Sequence, residues 1–447
     1  MGDLAEQAGF AFYHLNHIVA IGMQKHPTII VGAGAAGLAA CHALLAAGQD
    51  ALVLEASARI GGRIRALEGF ADFPIELGAE EVHGLDHCLG QLAGDLICHS
   101  SNSDFLRLDR HLIPWDVALG DSDVAKVAGF IAKVSEYAGE PCSVADLARR
   151  AGISARVWHY VVSRMGVEHG TTIERLGMSG FFGYEEGWER RENNRTVRGR
   201  YLDLLAPITK LVEPHVRCRA PVEAILWDSD AVQVRMQDGE ELLAAGVIFT
   251  GSIAMLAAGS PAFFPGLGDD KLGALERVKM DVGLKIILRF RERFWPREMY
   301  FLHTDGIFPQ FWASGKGRAS ATPVLTAFIG GAKAEALQGL DVVRLALDEL
   351  DEMFGSKSAT QQFENSHIAD WGAEPFVRGL YSYGTPQASL ADRFTLASSL
   401  GGRVFFAGEA TDTEGQTGTV HGAMASGKRA AAEVLQLLGA APRQKRG

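Results

Sequence analysis

The first chemically suggestive stretch is the turn Gly32-Ala33-Gly34-Ala35-Ala36-Gly37. A short apolar run, Ile29-Ile30-Val31, precedes this turn and reads as a buried parallel strand. An Ala/Leu-rich segment that reads as a helix follows it and is ended by Gly48. A second strand, Ala51-Leu52-Val53-Leu54, delivers Glu55, 18 residues past Gly37. Gly32 allows the sharp turn, Gly34 lets the backbone approach a pyrophosphate, and Gly37 lets helix and strand pack closely. The helix start offers unpaired N–H groups and the positive end of its dipole to phosphates, and Glu55 is placed to take both hydroxyls of a ribose. A glycine triplet alone means little. With the strand, the helix and the acid in place, the pattern predicts a bound dinucleotide. The continuation Ala56-Ser57-Ala58-Arg59-Ile60-Gly61-Gly62-Arg63 narrows that to FAD, since a nicotinamide dinucleotide has no use for a second glycine pair and arginine there. Gly62 keeps the chain close to the extended cofactor, and Arg63 offers a cation to its diphosphate. Gly78-Ala79 suggests another close backbone approach.

The remaining reactive candidates are single side chains. Lys285 stands in Gly283–Phe290, which alternates at period two and puts Ile287 on the same face. From that strand alone, a lysine that snorkels to solvent is the commoner reading. Trp371 and Tyr381 read, from residue type alone, as aromatic core packing. His83 follows the pattern of lone histidines, which are more often structural than functional. Glu81, Glu168 and the pair Glu185-Glu186 are candidate charged contacts, although a solvated surface is the usual place for such carboxylates.

These residues must be positioned by two interleaved sets of elements. From Leu85 to about Thr196 the pattern is mostly helical, with Ser143 a candidate N-cap, and no strand–helix alternation is evident. The dinucleotide domain resumes near Val197. It continues through a helix over Tyr201–Leu211 and strands at Val216–Cys218, Ala231–Met236 and Gly246–Thr250. A sheet-rich region starts at Gly283, with further strands expected at Tyr300–Leu302 and Val324–Phe328 and an amphipathic helix over Leu340–Phe354. The last strand and turn, Arg403–Thr411, contain Gly408 and Glu409 and lead to a helix from about Val420 to Leu438. The expected domains are therefore discontinuous: 24–84, 197–282 and 396–440 for the cofactor, 85–196 and 283–395 for substrate, with 1–23 as an N-terminal extension. The expected fold class is α/β, a Rossmann-like FAD domain interleaved with an α+β domain.

Composition bounds the partners. A formal charge of −11 argues against nucleic acid as a main partner. Five dispersed cysteines without a Cys-x-x-Cys pair suggest a reducing compartment and leave no obvious metal site. The apolar patch from Gly9 to Gly22 is preceded by Asp3 and Glu6 and broken by His14, Asn16 and His17, which fits neither a signal peptide nor a membrane span. The expected location is cytoplasmic.

Five stretches in order, GAGAAG with EASARIGGR, ELGAEEVHG, GLKIILRFRERFW, WGAEPFVRGLYSY, and FAGEAT with GTVHGAMASGKRAA, resemble the flavin-containing amine oxidases. That group holds monoamine oxidases, polyamine oxidases and flavin-type histone demethylases, and its two-domain architecture is like that of p-hydroxybenzoate hydroxylase. The resemblance spans about Pro27 to Leu438. It implies that Gly32, Gly34, Ala36, Gly37, Glu55, Ala56, Arg59, Gly62 and Arg63 hold the adenosine and diphosphate end of FAD. Gly78, Ala79 and Glu80 would run along the ribityl and flavin region, and Val222 would meet the adenine by its backbone. Gly408 and Glu409 would serve the ribityl and phosphate region, while Trp371, Thr419 and Val420 would lie at the ring. It further implies that Lys285 holds a water beside flavin N5 and assists reaction with oxygen. Tyr381, Trp371, His83, Glu168 and Thr419 would line the substrate's path.

The chain departs from monoamine oxidases in two ways. Thr419 stands where they have a second cage tyrosine, and Leu380 stands where they have the cysteine bonded to the flavin, so FAD is expected without a covalent link. Thr419–Ala423 and Val82–Gly84 look like the polyamine oxidase side. A further departure is Gly199-Arg200, where many relatives have two glycines. The implied reaction is hydride transfer from the carbon alpha to a neutral amine onto flavin N5, hydrolysis of the iminium to aldehyde plus amine, and reduction of O2 to H2O2. Two alternatives share part of the pattern. One is an FAD desaturase or porphyrinogen-type oxidase, against which Lys285 and Tyr381 speak. The other is a non-catalytic FAD-containing interaction protein. Oligomeric state is not legible.

Overall fold

A computed structural model describes residues 25–84, 88–93, 96–99, 104–137, 139–178, 195–227, 230–315, 317–318, 322–355 and 357–439. The N-terminal extension, the Glu185-Glu186 pair and the basic C-terminal tail lie outside the described residues.

The strand Lys25–Val31 is buried through its apolar half and pairs in parallel with Leu52–Leu54 on one side and Glu241–Phe249 on the other. Strands buried on both faces read as unbroken apolar runs, which Ile29-Ile30-Val31 and Val247-Ile248-Phe249 are. Around them the sheet runs Val216–Arg217, Leu52–Leu54, Lys25–Val31, Glu241–Phe249, Val232–Met236, Val222–Leu226 and Ala262–Phe264. Val404–Phe406 is also paired to Glu241–Phe249. The helices Ala35–Ala46 and Val420–Leu437 cover one face, burying Leu38, Leu44, Met424 and Val434 with Ile30 and Ile248. They approach most closely at Gly427, where a Cβ would lie 2.2 Å from the Ala36 carbonyl oxygen.

The second sheet has seven strands: Phe363–Asp370, Gly283–Phe290, Val324–Gly330, Gln310–Ala313, Phe301–His303, Phe105–Leu108 and His111–Pro114. Alternation along Gly283–Phe290 divides its side chains. Ile286 and Leu288 pack in one cluster with Leu347 and Leu350 of the helix Val342–Phe354. Lys285 and Ile287 take the opposite face by the two-residue period. Lys285 is in register with Phe328 and Ala369. A short pairing of Val278–Met280 with Ser382–Gly384 runs beside the two main sheets. Strands for the two sheets alternate along the chain, so the lobes interleave as expected.

Several expected boundaries shift. The span Leu85–Thr196 is not free of strands: Phe105–Leu108 and His111–Pro114 form a hairpin on the edge of the second sheet. Its turn residues, Asp109 and Arg110, both take positive φ, at 51° and 68°. Tight hairpins need that conformation, but their usual signal is Asn-Gly or Asp-Gly, and this pair lacks the glycine. The helix expected over Tyr201–Leu211 is divided into a 3-10 segment, Tyr201–Leu205, and an α-helix, Ala206–Val212. Pro207 explains the break, because proline fits only the first turn of an α-helix. Ser143 caps its helix as expected, its Oγ accepting from the Asp146 N–H at 3.1 Å.

Candidate active site

A cavity of about 420 Å3 opens at the carboxyl ends of the first parallel strands, lined on that side by the residues just after them (Gly32, Glu55, Thr250) and on the other by strand residues of the second sheet such as Lys285, Gln310 and Trp312. Its first end is made largely of main chain. Gly32 takes φ +105°, and a Cβ on Gly37 would lie 2.0 Å from the Gly32 carbonyl oxygen, so helix and strand touch only because both are glycine. Gly34 has open space where a side chain would stand. Ala35 and Ala36, whose first-turn amides have no partner within the helix, line the same space. Glu55 is held in place by the turn it serves: one carboxylate oxygen accepts from the Ala33 N–H at 2.7 Å and the other from the Ser57 N–H at 2.8 Å. Each oxygen keeps a lone pair for a ligand hydroxyl. An open glycine cradle, free first-turn amides and an oriented carboxylate fit a dinucleotide's diphosphate and ribose.

Arg59 spends its guanidinium on the carbonyls of Ile60, Gly62 and Ile64, which braces the second glycine pair. Arg63 reaches the Leu380 carbonyl at 2.7 Å and a Glu409 oxygen at 2.9 Å. Burial alone would raise the carboxyl of Glu409, but the charges of Arg63 and Arg393 and the Ser382 hydroxyl outweigh it and hold the group below its usual range. The other Glu409 oxygen accepts from the Ser382 hydroxyl at 2.6 Å and the Gly418 N–H at 3.0 Å. That single buried carboxylate therefore ties together Arg63, the Tyr381–Ser382 wall and the loop before the closing helix.

At the middle of the cavity Lys285, Trp371, Tyr381, Thr419 and Val420 converge from strands and loops far apart in sequence. Gly78 is required there, since a Cβ would lie 1.8 Å from the Arg63 carbonyl oxygen. The Trp371 indole donates to the Leu77 carbonyl at 2.8 Å, and the Tyr381 hydroxyl donates to the Val167 carbonyl at 3.2 Å. Thr419 is the N-cap of Val420–Leu437, its Oγ1 accepting from the Gly422 N–H at 3.0 Å, so that helix N-terminus faces the cavity. Lys285 is 6% exposed and does not snorkel to solvent. Its ammonium donates to the carbonyls of Glu76 at 3.1 Å and Gly78 at 2.9 Å and to a Glu80 carboxylate oxygen at 2.9 Å.

Beyond this junction the walls become acidic. Glu81 accepts from the Tyr300 hydroxyl at 3.0 Å, and burial pushes its carboxyl up to about 7. Glu168 pairs with Arg164 at 2.8 Å, and Asp104 stands 3.9 Å from the same guanidinium. Burial works against the charge of Arg164, but Glu168, Tyr160, Asp104 and Glu81 outweigh it and keep the group firmly protonated. All four ionisable side chains line the cavity, together with His83, His169 and Gln310.

Of the residues expected at the cofactor, Gly37, Ala56 and Val222 are not on the cavity lining, and Val222 is buried in its strand. Glu81 and Glu168 are not on a solvated surface, because loop and strand packing carries them inside. Arg200, beside Gly199, turns outward to Asp203 and Glu68 and stays off the cavity wall. Residues that sequence reasoning missed include Asp104, Arg164, Tyr300 and Trp312. Arg164 was findable from its four-residue spacing to Glu168. The others carry no local signal.

A glycine turn between strand and helix, opening onto an aromatic, acid-lined chamber, fits a flavoprotein oxidoreductase. The chain belongs to the flavin containing amine oxidoreductase family, whose profile matches residues 35–181 and 143–435. Polyamine oxidase 3 of Oryza sativa subsp. japonica is 26% identical over 91% of this chain and 88% of its own length. Lysine-specific histone demethylase 1B of Mus musculus is 27% identical over 94% of this chain, which spans 54% of that protein. Among solved structures, cyclohexylamine oxidase from Brevibacterium oxydans IH-35A superposes with a TM-score of 0.77 at 21% identity, covering 93% of this chain and 99% of that one. Wild-type putrescine oxidase bound to putrescine gives 0.79 at 17% identity, covering 92% and 99%. The chain is therefore an amine-oxidising flavoenzyme. No described helix is long and apolar enough to cross a membrane.

Proposed function

We propose that this enzyme oxidises an amine that carries a second cationic nitrogen, a polyamine or a close relative, using FAD held without a covalent bond. The observation that carries this reading is the group of carboxylates on the cavity wall, Glu81, Glu168 and Asp104, where a ligand's second cationic nitrogen would meet opposite charge. Names among the relatives and structural neighbours, polyamine oxidase and putrescine oxidase, support the same substrate class.

In this reading 24–84, 197–282 and 396–440 form the cofactor domain, and 85–196 and 283–395 form the substrate domain. Glu55 holds the ribose, Gly32 to Ala36 with Gly62 and Arg63 cradle the diphosphate, and Gly408 and Glu409 serve the ribityl and phosphate region. Gly78 to Glu80, Trp371 and the Thr419–Val420 helix start surround the flavin ring. Leu380 offers no nucleophile for a covalent link. FAD, when bound, would supply the acceptor for a hydride from the carbon alpha to the neutral amine and would be reoxidised by dioxygen, which takes two electrons and two protons to become hydrogen peroxide. Tyr381 and Trp371 orient that carbon, His83 lines its path, and the packed aromatic wall excludes bulk water. A cytoplasmic location belongs to this reading, supported by the free thiols of Cys41, Cys88, Cys142 and Cys218.

The test is anaerobic stopped-flow reduction of the bound flavin by monoamines, diamines, triamines, acetylated polyamines and methyl-lysine peptides. Fast bleaching by di- or triamines is the expected result. A monoamine or methyl-lysine peptide that reduces the flavin faster than every polyamine would overturn the substrate class.

A further inference from the structure

An ammonium group has three protons, and all three on Lys285 are used: by the carbonyls of Glu76 and Gly78 and by Glu80 Oε2. The Glu80 carboxylate is fixed at its other oxygen as well, which accepts from the Trp312 indole N–H at 3.1 Å. The Lys285 ammonium also lies over the Trp312 ring, 5.1 Å from its centroid. Lysine, glutamate and tryptophan thus form a closed unit at the cavity junction, with side-chain exposures of 8% for Lys285 and 19% for Glu80. A water beside the amine would find no proton to accept, and the lysine's charge is matched by a carboxylate at contact distance.

We propose that Glu80 is a positioning residue that restrains the reaction of the reduced enzyme with oxygen, by engaging the third proton of Lys285 and neutralising its charge. The inference rests on the proposed seating of the flavin ring beside Lys285. In the overall step dioxygen takes two electrons and two protons from the reduced cofactor and leaves as hydrogen peroxide, and the oxidised cofactor is restored. The first electron turns neutral oxygen into the superoxide anion. A nearby unpaired cation favours that charge, and a cation paired with a carboxylate favours it far less. The closed unit therefore slows the oxygen half-reaction below what a lone lysine would support. Removing the carboxylate opens the ammonium to solvent and to oxygen.

The experiment reduces each holoenzyme with dithionite under anaerobic conditions, mixes it with oxygenated buffer, and follows flavin reoxidation by absorbance. Midpoint potentials are measured on the same samples. Glu80→Gln is expected to reoxidise about tenfold faster than the unaltered enzyme or more, with a more positive potential. Lys285→Met leaves the carboxylate alone and is expected to be the slowest. The double variant, neutral at both positions, is expected to fall between the two single variants. An unchanged or slower rate in Glu80→Gln overturns the proposal, as does a double variant as fast as Glu80→Gln, since the lysine would then not transmit the effect. Should Glu80→Gln fail to retain FAD, Glu80→Asp, which draws the carboxylate back by one methylene, must accelerate reoxidation for the proposal to stand. Because dithionite replaces the amine, a failure of the proposed substrate class leaves this test intact.

Discussion

The two ends of the cavity are built by different means. The end proposed for the cofactor is built from main chain: Gly32 to Arg63 supply two glycine turns, a helix start and an oriented carboxylate, with Glu55 held by the Ala33 and Ser57 amides. At the far end it is written in side chains brought from Glu81, Asp104, Arg164, Glu168 and Tyr300, over sequence separations as large as 219 residues. The first end depends on the absence of side chains at Gly32, Gly37 and Gly78, where an added Cβ would meet neighbouring atoms at 2.5 Å or less. The second depends on a balance of charges, and a changed residue shifts affinity and pH response while leaving the fold in place.

That difference can be broken most severely at Gly37. The substitution Gly37→Ala is expected to weaken FAD retention by more than about 100-fold, because its Cβ would meet backbone that has no freedom to move. Flavin content after gel filtration reports it, and a fully yellow variant would refute the close-packing argument. The next largest effect is expected for Arg63→Met, which leaves the buried Glu409 carboxylate without its guanidinium. The cost should be about 2 kcal/mol, toward the low side because Arg63 is partly exposed. Denaturant unfolding of the holoenzyme measures it, and a midpoint equal to that of the parent would remove Glu409 as the tie between these loops.

A smaller and more selective effect is expected at the acidic end. Glu81→Gln should raise the Kd of a diamine about tenfold while changing that of a monoamine far less. The pH dependence has a definite sign. Burial places the Glu81 carboxyl at about 7, so it is ionised above that pH and neutral below it. Diamine affinity relative to monoamine affinity should therefore fall as the pH drops through 7, and that fall should vanish in Glu81→Gln. A ratio that stays flat from pH 6 to 8 (a range of about one pH unit either side) in the parent enzyme would exclude Glu81 from ammonium binding. The smallest change is expected for Tyr381→Phe, which loses one hydroxyl bond to the Val167 carbonyl. Stability should drop by about 1 kcal/mol, read as a shift in the unfolding midpoint, with the aromatic wall preserved.

Legibility in the sequence follows the same division. The Rossmann-like half could be read from one continuous stretch because glycine spacing, an apolar strand and a terminal acid are each local requirements of a turn that approaches a phosphate. Lys285 could be placed on an alternating strand, yet its burial depended on Phe328 and Ala369 in the neighbouring strands. The hairpin at Phe105–Pro114 escaped because its turn is made by Asp109 and Arg110, which achieve positive φ without glycine.

By itself the sequence determined the glycine turn between strand and helix, the mixed α/β fold class and the family to which the chain belongs, because those rest on residue types at fixed short spacings. Only the tertiary structure decided that Glu81 and Glu168 face inward, that Arg63 spends itself on Glu409, and that Glu80 closes over Lys285. A carboxylate looks the same in a sequence whether it ends in water or against an ammonium group. Its partner is chosen by strands and loops that meet from distant parts of the chain, and the low dielectric of the place where they meet gives that choice its energy.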